Sequence, residues 1–357
     1  MARKLSEAPS LRAGLSGEAE LLRRDAASRR ALAPAPVRAG RIRDLARPDP
    51  ARVPERSARI AMISNPRSHR NGTGAVSAPG QEILYRAPGT KAELEAAIAD
   101  FAARRVDVII IHGGDGTVRD VLSAARRVYS SALPKFAILP AGKTNAVAID
   151  LGMSADVTLD RLIDAIRRDE IRERTPLEIW REGESSPAQT GFLFGAGAFV
   201  RATSLAQHTH RFGAFEGLAV GLSLVASIGQ TLFGSKDRGW RAGDAMTIGG
   251  DVEMAGRFYI LLCSTLDRFP LGLKPFGRLG QGMKLLAVDA PPRQMLRRVP
   301  MLLAGRQNEA MERKGYRHRA AETLEIGIES DFILDGETYP GGALTLRRGA
   351  PLRFVVA

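Results

Sequence analysis

The hydrophobic pattern changes period along this chain, and the changes mark out its elements. Residues 106–111 (Val-Asp-Val-Ile-Ile-Ile) form a β-branched run, the composition of a strand buried on both faces of a parallel sheet. The run empties into Gly113-Gly114-Asp115-Gly116-Thr117, after which Val118, Val121 and Leu122 return at helical spacing. Residues 59–64 predict an earlier strand that stops at Asn65-Pro66-Arg67-Ser68, because Pro66 lacks a donor for the ladder. Residues 81–86 predict a second strand. Leu94, Ala97, Ile98 and Phe101 give residues 92–101 the apolar face of a helix. A further strand, 136–139, runs into Pro140-Ala141-Gly142-Lys143-Thr144-Asn145-Ala146. Strands alternating with helices at this rhythm predict βαβ units and a parallel sheet.

Near Arg172 the pattern shifts. Residues 175–180, 190–194, 246–248, 258–263, 283–288 and 323–328 read as short strands with few helices between them. That predicts a second, mainly antiparallel domain, and residues 343–356 alternate well enough for one or two closing strands. The fold class is therefore α/β: an N-terminal parallel α/β domain followed by a second, mainly antiparallel β domain. The expected boundaries are a flexible basic extension over 1–58, the α/β domain over 59–172 and the β-rich domain over 173–342. The segment 343–357 is free to pack back on the first domain.

Composition changes this picture at one point. A length of 357 residues allows two domains with real cores, and 44% apolar with 25% charged residues is ordinary for a globular protein. The formal net charge of +13 is not ordinary. A basic surface suits nucleic acid, an anionic membrane or a phosphorylated substrate. Aromatics make up only 6%, and no basic stretch is interleaved with them to form a stacking platform, so nucleic acid ranks below a membrane surface or a nucleotide and is not an expected partner. The single cysteine, Cys263, rules out an internal disulfide framework and sits in an apolar run as a buried strand thiol.

The first 57 residues are rich in Arg, Ala and Pro and lack the apolar core of a secretory signal. Residues 217–235 carry no charge, but their serines, Gln230, Thr231 and glycines favour a buried or membrane-dipping helix over a span. Residues 293–319 hold eight Lys/Arg with apolar residues among the first of them. This stretch reads equally as a solvated face or as a surface for anionic headgroups.

Three predicted strands end in loops suited to one ligand: Asn65 to Ser68, Gly113 to Thr117 and Ala141 to Asn145. In open parallel sheets ligands bind beyond the carboxyl ends of the strands. Glycines let backbone approach an anion, and the N–H groups at a helix start point toward it. Asp115 inside such a turn makes sense if it holds Mg²⁺ with phosphates or takes a proton from an attacking hydroxyl. Residues 137–144 narrowly miss the P-loop pattern: Ile138 and Leu139 belong to the strand, and the loop left over is too short to wrap phosphates. Lys143 can still reach a phosphate as a point charge, and Asn145 can begin a helix. His112 is read as structural, and no metal-ligand cluster, dinucleotide fingerprint or nucleophile elbow is found. Asp335-Gly336-Glu337, after the apolar residues 332–334, is by itself a hairpin signal.

Taken in order, these segments resemble the diacylglycerol kinase catalytic family, which includes bacterial lipid kinases, sphingosine kinases and ceramide kinases. The resemblance runs from about Arg59 to the C-terminus. It rests on Asn65-Pro66-x-Ser68, Gly113 to Thr117, Pro140-x-Gly142-x-x-Asn145, the stretch Leu273 to Gly282, and Asp335-Gly336-Glu337. The glycine–Asp turn alone is shared with NAD kinases and phosphofructokinases; the ordered set is more specific to lipid kinases. The resemblance implies an active site in the cleft between a nucleotide-binding α/β domain and a β-rich lipid-binding domain, with ATP and Mg²⁺ held by Asn65, Ser68, Gly113, Gly114, Asp115, Gly116, Thr117, Gly142, Lys143, Thr144 and Asn145 and with Asp115 as the residue facing Mg²⁺. It implies Glu337 as general base for a lipid hydroxyl, with Asp115 the rival for that role. Three departures stand out. Lys143 replaces a threonine, Ala146 replaces an aspartate, and Gln281 stands where the family has an acidic residue at a structural metal site.

The expectation is an ATP- and Mg²⁺-dependent lipid kinase, cytoplasmic and peripheral to the inner face of the membrane. Its acceptor would be diacylglycerol, or a sphingolipid such as ceramide. An anionic membrane surface is an expected partner, and a homodimer is left open. The alternatives are an NAD kinase-like enzyme and a non-catalytic lipid-binding homologue.

Overall fold

The computed structural model describes residues 58–66, 82–129, 132–142, 144–209 and 241–357, with backbone alone for 204–209. Ser68, Lys143, the uncharged stretch 217–235 and the N-terminal extension, all singled out from sequence, lie outside the described residues. The described elements belong to one compact unit, Arg56–Ala357.

The first sheet takes its order from burial. β1 (Ile60–Ser64) and β3 (Val108–Gly113) are apolar on both faces and occupy its middle. β2 (Ile83–Arg86), half exposed, takes the edge beside β1. β4 (Lys135–Pro140) follows β3, and these four strands run parallel. The next strand comes from the far end of the chain: β17 (Leu352–Val355) pairs parallel with β4, and β5 (Ile171–Arg174) closes the sheet antiparallel to β17. The resulting order is β2-β1-β3-β4-β17-β5. The chain direction across the sheet reverses between β1 and β3, so the crevice that a doubly wound sheet offers a ligand lies at the ends of those two strands.

Helix α1 (Lys91–Ala103) starts at Thr90, whose side chain caps Glu93 N–H, and buries Leu94, Ala97, Ile98 and Phe101. Helix α2 (Asp115–Val128) begins inside the glycine turn and is buried on both sides, at Val118, Val121 and Leu122 and also at Arg119, Ser123 and Ala124. Its second face meets the other sheet. Ser123 Oγ accepts from Thr190 N–H at 2.9 Å and donates to Thr190 O at 3.3 Å. Arg126 pairs with Glu178 at 3.1 Å.

The second sheet is antiparallel and eleven-stranded. Its spine is β10 (Met254–Ser264), which pairs with β9 (Asp244–Gly250) over its first half and β8 (Leu193–Gly197) over its second. Its other side pairs with β11 (Met283–Asp289), which in turn pairs with β12 (Tyr316–Ala321). The hairpin β14 (Phe332–Leu334) and β15 (Glu337–Tyr339) hangs on β8. β13 (Thr323–Ile328), β16 (Gly342–Arg348), β6 (Leu177–Trp180) and β7 (Gln189–Gly191) complete the far side. Cys263 is fully buried in β10, and desolvation raises its thiol pKa.

The basic stretch 293–319 is not one helix face. It divides into α6 (Met295–Leu303), α7 (Glu309–Glu312) and β12, and its later cations are used locally. Arg317 pairs with Asp289, Arg319 with Glu312, and Arg313 with Glu309. The helices α3 (Ala146–Asp150), α4 (Leu159–Arg167) and α5 (Ala198–Thr209) complete the described structure.

Candidate active site

Three strand ends meet. Register sets Ser64 beside His112 and Gly113 beside Pro140, so the loops after β1, β3 and β4 leave the sheet side by side. Asn65 Nδ2 donates to Thr117 Oγ1 at 3.0 Å, joining the first loop to the start of α2. His112 is half-buried with Nδ1 3.2 Å from Ser64 Oγ, and burial lowers its pKa.

The glycines answer first to packing. A Cβ on Gly113 would run into the Thr117 side chain; one on Gly114 would lie 2.9 Å from the Cα of Gly142, and one on Gly142 2.5 Å from that of Gly114. The second and third loops therefore touch backbone to backbone, which is possible only without side chains. Asn145 adopts the left-handed conformation, φ 50°, that asparagine tolerates. Its side chain closes the third loop on itself, accepting from Gly142 N–H at 3.0 Å and donating to Gly142 O at 2.9 Å.

Asp115 holds the two loops together. One carboxylate oxygen accepts from Ala146 N–H at 3.0 Å and the other from Val147 N–H at 3.1 Å, so it caps α3 from outside that helix. Burial raises its pKa against these bonds. A second carboxyl faces it. Asp335 and Gly336 turn the β14–β15 hairpin with φ 45° and 83°, the left-handed pair that a tight two-residue turn requires. The Asp335 carboxylate accepts from Phe192 N–H at 3.0 Å and Leu193 N–H at 2.8 Å. Desolvation, with the neighbouring Asp115 charge adding to it, pushes Asp335 up to about 7. Both carboxyls line the same cavity.

That cavity has a volume of about 300 Å³. Asp115, Asp335 and Gly336 line one part of it, with Thr144, Ala146 and Val147 beside them. Its remaining wall is mostly apolar, including Leu193, Ala198, Ala202, Leu262 and Leu302 from β8, α5, β10 and α6, with Phe276 from the loop before β11. A separate polar pocket of about 220 Å³ opens at the β1/β3 crevice, lined by Ser64, Asn65, Thr90, Lys91, Thr117 and Asp120. Asp115 and Thr117 are both in the first turn of α2, so that turn separates the apolar cavity from the polar pocket.

Arg119 binds the hairpin to α2. Its side chain is 3% exposed, pairs with Asp120 at 2.8 Å and lies 3.8 Å from Glu337. It donates to the carbonyls of Leu334 at 3.3 Å and Asp335 at 3.4 Å, and lies over the Tyr339 ring. Burial works against its charge, but Asp120, Tyr339 and Asp335 outweigh it and leave its pKa raised.

The residues read from sequence thus separate into groups. Asn65 and Thr117 face the polar pocket; Asp115 and Thr144 line the apolar cavity; Gly113, Gly114, Gly142 and Asn145 pack the loops together. A Cβ on Gly116 would approach only the Arg119 guanidinium, from 3.8 Å. Glu337 begins β15 with its side chain 57% exposed, beside Arg119 and not on the cavity wall. Gln281 is exposed before β11, and among the described residues no three His, Cys, Asp or Glu lie together as a metal site. Arg119, Asp120 and Asp335 carry more of the geometry than their sequence pattern suggested. The available signal was a charged residue, Arg119, inside the apolar run of α2.

Residues 63–178 match the family model of the diacylglycerol kinase catalytic domain. The resemblance read from the motifs is to that same family. The matched stretch runs from the end of β1 to the first half of β6, and so includes all three loops at the crevice. The hairpin with Asp335 and most of the apolar cavity wall lie beyond it. Solved structures carry the fold further. A protein from Bacillus anthracis str. Sterne described as a "putative diacylglycerol kinase" is 15% identical with a TM-score of 0.60, over 84% of this chain and 97% of its own. The crystal structure of a diacylglycerol kinase from the same source is 14% identical, with a TM-score of 0.56 and the same coverage. No curated protein matched the chain.

The acid pair makes a pH-dependent contribution to stability. Unfolded, Asp335 ionises near 3.8; folded, near 7. Between those values the native state holds a proton that the unfolded state has lost, so stability falls as pH rises from about 4 to about 7. Three units would correspond to about 4 kcal/mol, and water entering the cavity trims this to about 2–4 kcal/mol. Asparagine suits the left-handed position, so Asp335→Asn should flatten this part of the profile and be the more stable protein at pH 8. Urea midpoints at pH 5 and pH 8 test this; a variant with the wild-type pH dependence would remove Asp335 as its source.

Proposed function

We propose that this chain is a lipid kinase that transfers the γ-phosphate of ATP to the primary hydroxyl of a neutral lipid at a membrane surface. The observation that carries the reading is the apolar cavity with two carboxyls on its wall, separated by one helical turn from a polar pocket at the crevice of a parallel sheet. An acyl chain suits the apolar wall, and the hydroxyl belongs at Asp115 and Asp335. ATP suits the other side, where Asn65, Thr90, Lys91 and Thr117 supply donors beside the N-terminus of α2. The same geometry argues against an NAD kinase, whose soluble acceptor has no use for a wall of this kind.

In the transfer the lipid oxygen bonds to the γ-phosphorus, the bond from that phosphorus to the ADP oxygen breaks, and the hydroxyl proton passes to a carboxylate. Asp115 lines the cavity, and its raised pKa suits a base; Glu337, beside Arg119, is the other candidate. Magnesium commonly binds through one or two carboxylates together with substrate phosphates, and Asp120 on the polar pocket provides one. Bound there with ATP, the ion would supply charge neutralisation. The rest is positioning, which is most of what phosphoryl transfer requires.

Diacylglycerol is the first candidate acceptor, and ceramide or a long-chain base the second. The test is transfer of labelled phosphate from ATP into a detergent-dispersed lipid extract, with chromatography of the products and NAD as a parallel acceptor. One labelled lipid is expected. Label in NAD alone would overturn the reading, and label in neither would leave a lipid-binding homologue.

A further inference from the structure

Among the described residues three large hydrophobic side chains are exposed: Tyr85, Leu271 at 56% and Leu296 at 61%. Tyr85 is on β2, at the edge of the first sheet. The two leucines both belong to elements that wall the apolar cavity. Leu271 is the centre of a tight turn, Pro270–Gly272, whose neighbours Phe269, Pro270 and Leu273 line the cavity. Leu296 is on α6, which turns Met295, Val299, Leu302 and Leu303 to the same cavity at helical spacing. Lys274 N–H donates to Leu303 O at 2.9 Å, so turn and helix are directly joined. Each element is thus apolar on the cavity side and also offers a leucine to the outside.

Leu271 is held at φ 59°, ψ 15°, a left-handed conformation that a branched side chain resists. Strain of this kind at an exposed apolar residue points to function and not to packing, because nothing is buried in return. Asp267, just before the turn, is paired with Lys284, and the neighbouring charges in sequence that lack such a partner have one sign. Arg268, Lys274, Arg278, Arg293, Arg297 and Arg306 have no ion-pair partner among the described residues, and all are exposed. From Arg268 to Arg306 the only acid is Asp289, which Arg317 engages. Unpaired cations around protruding leucines are what an anionic bilayer complements: headgroups attract the former, and the acyl region takes the latter.

We propose that the Pro270–Gly272 turn and the outward face of α6 are the docking surface for an anionic bilayer, with Leu271 and Leu296 inserted below the headgroups. The inference rests on reading the cavity as the acceptor-lipid site, since docking here sets the cavity's own wall against the membrane. A lipid would then reach the cavity without its chain crossing water.

The test measures binding and turnover separately. Binding is followed by co-sedimentation with phosphatidylcholine vesicles, with and without phosphatidylglycerol. Wild type should prefer the anionic vesicles by about tenfold or more, and salt should weaken that preference. Leu271→Asn keeps a residue that favours the left-handed turn and removes the apolar tip. Combined with Leu296→Gln, it should weaken binding to anionic vesicles by about tenfold. Arg293→Gln and Arg297→Gln should each weaken it about fivefold, and Tyr85→Asn should leave it unchanged. Labelling of detergent-dispersed lipid should stay within twofold of wild type in the leucine variant, showing that the site itself is intact.

Vesicle binding that survives the leucine and arginine substitutions would place the membrane surface elsewhere and overturn the proposal, as would equal binding to neutral vesicles. A dimer broken by the same substitutions, with no vesicle binding, would assign the surface to a second copy of the chain and overturn it too. Failure of the kinase reading would show instead as no label in dispersed lipid, whatever the vesicles report.

Discussion

Replacing Arg119 with leucine should lower the stability of the protein by about 2–4 kcal/mol, read as a fall in urea midpoint at constant slope. The guanidinium is 3% exposed and is a central cation among Asp120, Glu337 and the Asp335 turn. Breaking a fully buried pair costs about 3–5 kcal/mol because it strands a charge. Here Asp120 keeps a third of its surface in water and can be resolvated, which pulls the figure down. What cannot be resolvated is the hairpin. The carbonyl of Leu334 would lose its Arg119 donor next to a fully buried β14. Asp335 and Asp115 would also lose a cation that moderates their raised pKa values, so the fall in stability with rising pH should steepen. Arg119→Lys retains the charge but not the fork that serves a carboxylate and two carbonyls together, and should recover less than half of the loss. A leucine variant as stable as wild type would mean that the hairpin is held by its strands alone.

Sequence reached some of these features and not others for physical reasons. The strand–glycine–helix unit was legible because strand composition, glycine and helical spacing are local properties, and β3, Gly114 and α2 follow one another without interruption. Asp335-Gly336 was legible as a turn for the same reason. What that turn does was not: Asp335 faces Asp115 across 220 positions of sequence, and only tertiary pairing of β14 with β8 places it there. The fifth strand of the parallel sheet was indistinct because β17 comes after the whole second sheet. For the glycines the sequence suggested anion approach, where Gly114 and Gly142 are first explained by their own contact. The basic stretch 293–319 looked uniform because charge alone does not show which arginines have partners. Arg313, Arg317 and Arg319 do; among the described residues Arg293 and Arg297 do not.

Asp115→Asn should cost about 10²–10⁴ in turnover of the labelled-lipid reaction while the protein remains folded. Two effects are combined in that substitution, and they can be separated. Structurally, Asp115 accepts from Ala146 and Val147, one bond at each oxygen. Asparagine keeps one acceptor and turns an amide toward the other N–H, a loss of about 1–3 kcal/mol for the group left unpaired. That is small enough to leave the native state populated at room temperature. Chemically, the variant has no carboxylate on the cavity wall except Asp335, which burial keeps largely protonated below pH 7 in spite of its two N–H donors. The pH profile tells the two apart. A base must be deprotonated, so wild-type turnover should rise with pH on its acid side, with an apparent pKa shared by the Asp115–Asp335 pair. If Asp115 is the base, Asp115→Asn abolishes that acid limb; if it only positions α3, the limb survives at a lower plateau. Glu337→Gln run beside it completes the assignment. A profile lost in Glu337→Gln and retained in Asp115→Asn would move the base to the exposed carboxylate beside Arg119 and leave Asp115 as the clamp between two loops.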